Sequence, residues 1–379
     1  MSDILILTPF FSPNIGGVET HLDDLVSVLK QKSFQTYVLT YQPLMSKVKA
    51  PAIQTIGNVE IHRVNWFRHL FYLVEPYPIL DFLYLTPRLF IATFFFLLHH
   101  RNINIIHAQG INASLIAVLL KPVFKNRVIV STHALYEFNS DTLFTKITRW
   151  VFNHSDKILS LLTSSKNELI KAGIKENIIQ PYTYWVDQNI FRPQDKVQSK
   201  NKLKWELNTI HILFVGRLIG KKGVIELLES IKLFYSESNV IFHLIGTGDL
   251  NELVIQKSKQ LKNLNFIGKI SNKLLPLYYQ AADFLIVPST HEEGAGRVIM
   301  EALSCGTPVI GSNRGGIPEI LDPSISELID VTPQNIKSAI QKSIERLSHN
   351  QLTSNHCVSY AQQKFSIKNA DTILNTYYE

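Results

Sequence analysis

The sequence predicts an α/β protein that contains two doubly wound parallel sheets, one in each half of the chain. Three observations support this prediction. Short, continuous apolar runs alternate with stretches of helical spacing, which is the pattern of parallel strands covered by helices on both faces. The alternation pauses once near the middle and then restarts. The length of 379 residues also suits about two domains of roughly 150 residues each.

The first half begins with a predicted strand over residues 4–8. A helix over residues 21–30 follows, because Leu22, Leu25 and Leu29 recur at helical spacing. Further apolar runs predict four more strands and one buried helix, since strands buried on both faces read as continuous apolar segments. The strands are residues 37–40, 103–107, 128–131 and 157–160, and the helix is residues 113–120.

Residues 182–193 break this alternation and are predicted to form the linker between the domains, with Pro181 and Pro193 at its borders. The second half resumes with five predicted strands, at residues 211–215, 241–245, 264–267, 284–287 and 309–311. Residues 1–185 are therefore assigned to a first domain and residues 190–364 to a second. Doubly wound sheets bind ligands at the carboxyl ends of their strands, so a cleft between facing strand ends is expected.

Composition excludes several classes of protein. Hydrophobic residues make up 45% and charged residues 18% of the chain, which indicates large buried cores and not disorder. Two cysteines, Cys305 and Cys357, are too few for a disulfide framework, so a reducing compartment is expected. The N-terminal segment lacks the basic start and long apolar run of a signal peptide. A cytoplasmic location is therefore predicted.

The net charge of +7 favours anionic partners such as diphosphates or lipid headgroups. Lysine and arginine are spread along the chain, and the sequence has no basic arm, zinc-finger spacing or RNA-binding signature. Nucleic acid is therefore not expected as a partner.

An apolar run over residues 89–98 comes nearest to a membrane span, but it is shorter than the roughly 18 residues that a span requires. A buried helix is the plainer interpretation. The alternative is a helix that lies in the membrane surface, because residues 66–72 mix aromatic with basic side chains and Arg88 and Arg101 flank the run. Peripheral membrane contact stays open as a hypothesis.

Two glycine-containing turns follow predicted strands. In the first, Gly16 and Gly17 would let backbone amides approach an anion at a helix N-terminus, although any tight turn of this kind can use glycine. In the second, Arg217 directly follows the strand and Lys222 comes five residues later. Two cations at a strand end could clamp a diphosphate; the plainer alternative is two solvated surface cations.

Residues 288–303 form the most informative segment. Glu293 lies in a loop of small residues after a predicted strand, and Glu301 lies eight residues later in the next helix. The loop can approach a ligand closely, and the helix N-terminus points amides at phosphate. Glu301 could then accept hydrogen bonds from ribose hydroxyls and Glu293 from a sugar. The plainer alternatives are a helix cap for Glu293 and a surface charge for Glu301.

His133 follows a predicted strand of the first half, where a doubly wound sheet places its ligands. A lone histidine is more often structural, but this position at a strand end makes a functional role equally plausible. His107, at the end of an earlier strand, is a weaker candidate.

Together these segments resemble family 4 of the retaining glycosyltransferases, whose members have the GT-B fold of two Rossmann-like domains. The resemblance runs along nearly the whole chain and is most specific over residues 282–319. The motifs that carry it, in order, are Gly16-Gly17, Thr132-His133, Phe191-Arg192-Pro193, Gly216-Arg217 with Lys222-Gly223, Gly246-Thr247-Gly248-Asp249, Leu277-Tyr278 with Ala282-Asp283, residues 293–301, Cys305-Gly306-Thr307-Pro308-Val309, and Gly315 with Glu319.

The resemblance implies a role for each candidate. Arg217 and Lys222 match the cations that bind the donor diphosphate. Glu293 matches the acidic residue beside the donor sugar, Glu301 the one that holds the ribose, and His133 a histidine near the reacting sugar. Glu293, His133, Arg217 and Lys222 are thus the catalytic candidates. Besides Glu301, the donor-binding candidates are Gly16, Gly17, Gly294, Ala295, Gly296, Val298 and Ile299. The resemblance also implies that residues 365–379 pack back on the first domain.

The sequence departs from the family pattern at three places. The linker, often Asn-Gly-Val-Asp, reads Tyr184-Trp185-Val186-Asp187. The loop after Glu293 carries Ala295 where an aromatic residue is common, and Arg297 stands where many members have an apolar residue. These differences affect the expected donor and acceptor, not the reaction class.

The resulting expectation is a retaining, metal-independent hexosyltransferase. The donor would be a nucleotide diphosphate sugar, UDP-sugar before GDP-mannose, and the acceptor a glycan or glycolipid of a cell envelope. No metal is expected, because the sequence has no Asp-x-Asp pair and two cations can neutralise the diphosphate. A nucleotide-sugar epimerase and a non-catalytic nucleotide-sugar-binding partner stay open as alternatives. A dinucleotide-dependent oxidoreductase is disfavoured, since Gly-x-Gly-x-x-Gly does not follow the first strand.

Overall fold

The computed structural model describes the chain except for residues 1–2, 15, 33, 45–47, 75–76, 134–141 and 235–238. The chain divides into two compact units. Unit 1 consists of Met1–Tyr184 and Asn369–Glu379, and unit 2 of Trp185–Lys368.

Unit 1 contains an eight-stranded sheet with the order β3-β4-β2-β1-β5-β6-β7-β8. All its neighbouring strands are parallel except β3 and β4, which pair antiparallel at the edge. The strands are β1 (Asp3–Leu7), β2 (Thr36–Tyr41), β3 (Ile53–Ile56), β4 (Val59–Val64), β5 (Ile103–Gln109), β6 (Arg127–Thr132), β7 (Lys157–Leu161) and β8 (Ile179–Tyr182).

Among the described residues of unit 1, six helices connect these strands, and a seventh comes from the end of the chain. They are α1 (Gly17–Leu29), α2 (Arg68–Val74), α3 (Pro78–His99), α4 (Gly110–Phe124), α5 (Leu143–Asn153), α6 (Leu162–Lys171) and α15 (Ala370–Tyr378). Helix α15 is fixed by polar contacts with the sheet: the Tyr377 hydroxyl lies 2.6 Å from His107 Nδ1, and Arg127 donates to the carbonyl of Thr376.

Unit 2 contains a six-stranded sheet with the order β11-β10-β9-β12-β13-β14, in which every pair is parallel. The strands are β9 (Ile210–Val215), β10 (Val240–Ile245), β11 (Leu264–Gly268), β12 (Phe284–Val287), β13 (Val309–Ser312) and β14 (Ser326–Ile329). The helices are α7 (Lys196–Leu203), α8 (Val224–Lys232), α9 (Asn251–Gln260), α10 (Leu275–Ala281), α11 (Arg297–Ser304), α12 (Ile317–Ile320), α13 (Pro333–Ser348) and α14 (Ser354–Lys364).

The apolar strands explain why both sheets form. Ile4, Leu5, Ile6 and Leu7 of β1 are fully buried, and β12 is buried along its whole length. Strands of this kind require a covering layer on each face, and the connecting helices provide it. The sequence does not predict β3, β4, β8 or β14; the first of these lies at the sheet edge with an alternating, partly exposed pattern.

Helix α3 corrects one expectation. The apolar run over residues 89–98 is by itself too short to span a membrane, but it is part of a 22-residue helix. Among the described residues, Ile79–His99 of this helix is long and apolar enough to cross a membrane by length and composition, and 22% of its apolar stretch is buried. The shorter estimate failed because the helix continues through Arg88, Pro87 and Thr86, where the uninterrupted apolar run stops.

Candidate active site

The sheet of unit 2 has a topological switch point between β9 and β12. From β9 the chain moves through β10 to β11 on one side, and it then returns to build β12, β13 and β14 on the other. Connections leaving the two central strands therefore run in opposite directions, which opens a crevice at their carboxyl ends. Gly216 and Arg217 follow β9 there, and Pro288 and Ser289 follow β12.

Lys222 and Glu293 meet at this switch point. Lys222 ends a 3₁₀ turn, Gly220–Lys222, and its Nζ lies 2.6 Å from Glu293 Oε1. The hydroxyl of Ser289 also donates to Glu293 Oε1. The Glu293 side chain is 9% exposed and the Lys222 side chain 24% exposed. The burial of Glu293 strengthens this ion pair. The ammonium group of Lys222 is partly exposed and has three N–H donors, so it can also contact a second partner.

Arg217 precedes Lys222 by five residues and has an exposed side chain. The structure places it directly after β9, as the sequence predicted, on the loop that leads to Lys222. An exposed guanidinium can form two parallel hydrogen bonds with a phosphate.

The loop that carries Glu293 is fixed on both sides by backbone contacts. On one side, the Thr290 amide donates to the Lys221 carbonyl at 3.0 Å. On the other, the Gly316 amide donates to the Glu293 carbonyl at 2.8 Å. Gly315 has φ +58°, and a Cβ there would overlap the backbone of Glu293. Only glycine permits both this backbone conformation and this close approach.

Glu301 is held by two side chains inside unit 2. Its Oε1 accepts from Arg297 Nε at 3.0 Å, and its Oε2 accepts from the Tyr279 hydroxyl at 2.9 Å. Arg297 also donates from Nη1 to the carbonyl of Trp185 at 3.3 Å. Burial, followed by the charge of Glu301, raises the pKa of Tyr279 well above its usual value, so this hydroxyl stays a donor.

The backbone candidates of this loop differ in what they can offer a ligand. Gly296 is the N-cap of α11 with φ +47°, and Gly294 and Val298 are partly exposed. Ala295 is 2% exposed and Ile299 fully buried, so their side chains pack inside the unit and only their backbone could reach a donor. The Ile299 amide already donates to the Gly296 carbonyl at 2.8 Å.

Unit 1 has its own switch point, between β1 and β5. Gly16 is the N-cap of α1 and Gly17 its first residue, so the predicted glycine loop does connect β1 to a helix N-terminus. A Cβ at Gly16 would overlap the carboxylate of Glu19, which is buried in the first turn of α1. The Thr20 hydroxyl donates to the Gly16 carbonyl at 2.8 Å and closes the turn.

His133 follows β6 in unit 1, and both of its ring nitrogens have partners. Nδ1 lies 2.6 Å from the Tyr184 hydroxyl, and Nε2 lies 2.8 Å from Gln109 Oε1. With the amide oxygen of Gln109 as acceptor, Nε2 carries the proton and Nδ1 accepts from Tyr184. Tyr184 in turn stacks on His21, with ring centroids 4.0 Å apart. Burial lowers the pKa of His133 to about 4, so the ring is neutral at pH 7.

His107 has a structural environment. It is fully buried, and Nδ1 and Nε2 lie 2.6 Å and 2.7 Å from the hydroxyl groups of Tyr377 and Ser131. Burial, with a smaller effect of His133, lowers its pKa to about 3. Its contact with Tyr377 attaches α15 to the sheet.

Four partners of the candidate residues were not predicted from the sequence: Ser289, Tyr279, Gln109 and Tyr184, of which Tyr184 was noted only as a departure from the family. Arg297 was noted only as a departure from the family. Its spacing of four residues before Glu301 could have predicted their ion pair on one helix face. Within the ranges that the structure describes, His, Cys, Asp and Glu form no group of three that could hold a metal ion.

Sequence comparisons agree with this architecture. The model described as "Glycosyl transferases group 1" matches residues 195–364, and the model "Glycosyltransferase Family 4" matches residues 15–180. The chain is 24% identical to the phosphatidylinositol N-acetylglucosaminyltransferase GPI3 subunit of Saccharomyces cerevisiae, across 91% of this chain and 77% of that protein.

Comparison with solved structures gives the same fold. The HepE protein of Anabaena, solved with UDP and with UDP-glucose, has a TM-score of 0.80 in its UDP complex, at 18% identity over 99% of both chains. Sucrose-phosphate synthase from Thermosynechococcus elongatus has a TM-score of 0.83 at 17% identity, over 100% of this chain and 98% of that one. The predicted α/β fold is thus confirmed, and the chain belongs to family 4 of the glycosyltransferases, the group 1 enzymes with the GT-B fold.

Proposed function

We propose that this glycosyltransferase transfers a hexose or N-acetylhexosamine from a nucleotide diphosphate sugar to a glycan or glycolipid, with retention of the anomeric configuration. The observation that carries the proposal is the Lys222–Glu293 pair at the switch point of unit 2. It holds a cation and a carboxylate together at the position where doubly wound sheets bind nucleotides, and this supports roles for Lys222 at a phosphate and for Glu293 at a sugar.

The proposed chemistry assigns one task to each group. The bond between the sugar C1 and the diphosphate oxygen breaks, and C1 forms a bond to the acceptor oxygen. Arg217 and Lys222 stabilise the charge that develops on the leaving diphosphate, by about 3 kcal/mol each. The acceptor hydroxyl passes its proton to the departing phosphate oxygen. Lys222 has three N–H donors, so it can hold Glu293 and a phosphate oxygen together.

Glu293 and Glu301 are proposed to bind the sugar and the ribose. Ser289 and Lys222 orient Glu293, while Arg297 and Tyr279 orient Glu301. Both contacts of Glu293 are made to Oε1, and a carboxylate has two acceptor oxygens, so Glu293 can also accept from a hydroxyl group of a donor. The amides of Gly294, Gly296 and Val298 are proposed as further donor contacts.

We favour a UDP-sugar as donor, with GDP-mannose as the next candidate. The UDP and UDP-glucose bound by the Anabaena protein and the N-acetylglucosaminyl group in the name of the yeast relative support this choice. We further propose that the enzyme works in the cytoplasm on a cell-envelope acceptor, with peripheral contact to the membrane. Arg217 and Lys222 would replace a metal ion in neutralising the diphosphate.

The test is a calorimetric titration of UDP, GDP and ADP into the purified protein, with EDTA present. We expect one nucleotide to bind, and Arg217→Ala and Glu301→Ala to weaken its binding about tenfold or more, since each removes a charged hydrogen-bonding group. Lys259→Ala and Glu252→Ala on α9 are the controls, because both residues are exposed there. Their affinities should match the wild type.

The outcomes separate the parts of the proposal. Binding that requires added Mg²⁺ or Mn²⁺ would contradict metal independence alone. If well-folded protein bound none of the three nucleotides, the donor site itself would be wrong. Product analysis with the nucleotide sugar that matches then separates transfer from epimerisation, since only transfer requires an acceptor.

A further inference from the structure

Helix α3 presents an apolar stripe to the outside of unit 1. Four apolar residues of this helix are spaced four or eight residues apart, and each is 49–62% exposed: Ile79, Leu83, Ile91 and Phe95. Residues four apart are neighbours on a helix surface, so Ile79 with Leu83 and Ile91 with Phe95 form two exposed apolar pairs. The stripe that joins them turns gradually around the helix, by about 40° at each step of four residues. A surface helix ordinarily has polar residues on its outer face, so an apolar outer face needs a partner.

The opposite face of α3 is fixed to the sheet. Leu85, Leu89 and Leu97 are 0–1% exposed and belong to the core of the unit. The hydroxyl of Tyr41 in β2 donates to the Leu85 carbonyl at 2.6 Å. Because this face is packed, α3 cannot cross a bilayer without leaving the sheet, although its length and composition would permit a span.

The apolar face extends beyond α3 to its neighbours. More than half of the large exposed apolar side chains among the described residues lie between Phe67 and Trp150. Ring contacts connect the helices beneath them: Phe94 of α3 lies 5.7 Å from Phe124 of α4, and Phe82 lies 6.0 Å from Phe144 of α5. Helices α3, α4 and α5, which carry many of these exposed residues, are thus packed against one another in unit 1.

Basic side chains accompany this surface. Arg101 lies over the Phe124 ring at 5.3 Å, and the neighbouring Lys125 is exposed. Lys146 is exposed on α5 between the exposed residues Leu143 and Trp150, at spacings of three and four. Helices α2 to α5 as the structure describes them contain one acidic residue, Asp81. An apolar surface with a basic rim matches the interface of an anionic bilayer.

We propose that this surface, centred on Ile79, Leu83, Ile91 and Phe95, docks on a membrane that contains anionic lipids. Helix α3 lies in the plane of the interface with its outer stripe among the acyl chains, and Arg101, Lys125 and Lys146 contact the headgroups. The inference rests on the peripheral contact proposed above and identifies the surface and the lipid charge that make it. A second copy is a poorer occupant, because two such surfaces would bring like-charged rims together.

The test is co-sedimentation with vesicles of phosphatidylcholine alone and of phosphatidylcholine mixed with phosphatidylglycerol, at low and high salt. We expect binding to the mixed vesicles at low salt. The double variant Leu83→Gln, Ile91→Gln should reduce this binding at least tenfold, because it removes two inserted side chains. Arg101→Gln and Lys125→Gln should each reduce it about fivefold.

The matched control is Ile190→Gln, Leu207→Gln in unit 2, where both residues are about half exposed. It should bind vesicles like the wild type. Equal binding of the two double variants would overturn the proposal, as would a dimer that forms without lipid and disappears in the α3 variant. Nucleotide titration on the same samples checks the donor site independently, so intact UDP binding with lost vesicle binding assigns the change to this surface.

Discussion

At the scale of single residues, Arg297 connects helix α11 to the beginning of unit 2. Its guanidinium pairs with Glu301 one turn later on α11 and donates to the carbonyl of Trp185, the first residue of the unit. The side chains of Arg297 and Glu301 are 9% and 7% exposed. A buried carboxylate that loses its cation keeps the cost of leaving water without the compensating attraction.

Arg297→Leu is therefore expected to destabilise unit 2 by about 3 kcal/mol and to weaken nucleotide binding, because Glu301 would lose its orientation. Denaturant unfolding and calorimetric titration measure the two effects. Arg314→Leu is the matched control, since its pair with Glu292 is 3.9 Å long with side chains 53% and 37% exposed. It should change stability by less than about 0.5 kcal/mol. Equal effects of the two substitutions would show that the Arg297 pair does not act as a buried one.

Tyr184 shows how a departure from the family pattern can have a local function. It stands at the linker position where asparagine is common, and its hydroxyl contacts His133 while its ring stacks on His21. With Gln109 on the other nitrogen, His133 is held neutral in one tautomer. A neutral ring can donate or accept a hydrogen bond, but it adds no positive charge for a diphosphate. In the proposed reaction, Arg217 and Lys222 are therefore the groups that stabilise the charge of the diphosphate.

At the scale of elements, the loop between β12 and α11 depends on Gly315, which comes after β13. The loop backbone at Glu293 approaches Gly315 so closely that no side chain fits between them. Gly315→Ala is expected to destabilise the protein by at least about 1–2 kcal/mol, the cost of the left-handed conformation alone, and to displace Glu293 from Lys222.

Gly220→Ala is the control for this prediction, because a Cβ there meets no atom within 4 Å and its φ is not in the left-handed region. Thermal unfolding should separate the two variants, with Gly220→Ala close to the wild type. Gly315→Ala with wild-type stability and nucleotide affinity would mean that the loop can relax without loss of the site.

The predicted elements agree with the structure where local sequence determines them. The strand predicted at residues 103–107 corresponds to β5, which spans Ile103–Gln109. It could be predicted because a strand buried on both faces reads as a continuous apolar run. The hairpin of β3 and β4 was missed, since an edge strand exposes alternate residues and resembles a loop. For α3, the uninterrupted apolar run underestimated the length of the helix.

The candidate site also combines residues that local sequence identifies with contacts that only the fold creates. The sequence could single out Arg217, Lys222, Glu293 and Glu301 as candidates because each lies in a distinctive segment that follows a strand. Tyr279 could not be found as a partner of Glu301, because the two residues lie on different helices, α10 and α11, and meet only after the sheet has formed.

At the scale of the whole molecule, both units contain buried histidines that are neutral in the folded state. His107 lies in the core of unit 1. In unit 2, His211 Nδ1 lies 2.9 Å from His243 Nε2, and Trp205 stacks on the His243 ring at 3.7 Å. Burial, followed by the charges of His211 and Lys200, lowers the pKa of His243 to about 3. Burial also lowers the pKa of His211, although the hydrogen bond with the Glu206 carbonyl opposes this shift.

These shifts predict an acid-sensitive fold. A histidine has an ordinary pKa of about 6.5 in the unfolded chain, so between pH 6.5 and 3 the unfolded state binds more protons than the folded state. The free energy of unfolding must then fall as the pH falls through this range, by up to about 1.4 kcal/mol per pH unit for each such histidine.

The measurement is the free energy of unfolding as a function of pH, for the wild type and two variants. His243→Gln should be less stable at pH 7, because the histidine ring no longer packs against Trp205. Its free energy of unfolding should fall less steeply as the pH decreases, because the contribution of one histidine is lost. His356→Gln, at an exposed position on α14, should keep the wild-type slope. If the free energy of unfolding of His243→Gln depended on pH as steeply as that of the wild type, the acid sensitivity would have to come from groups other than His243.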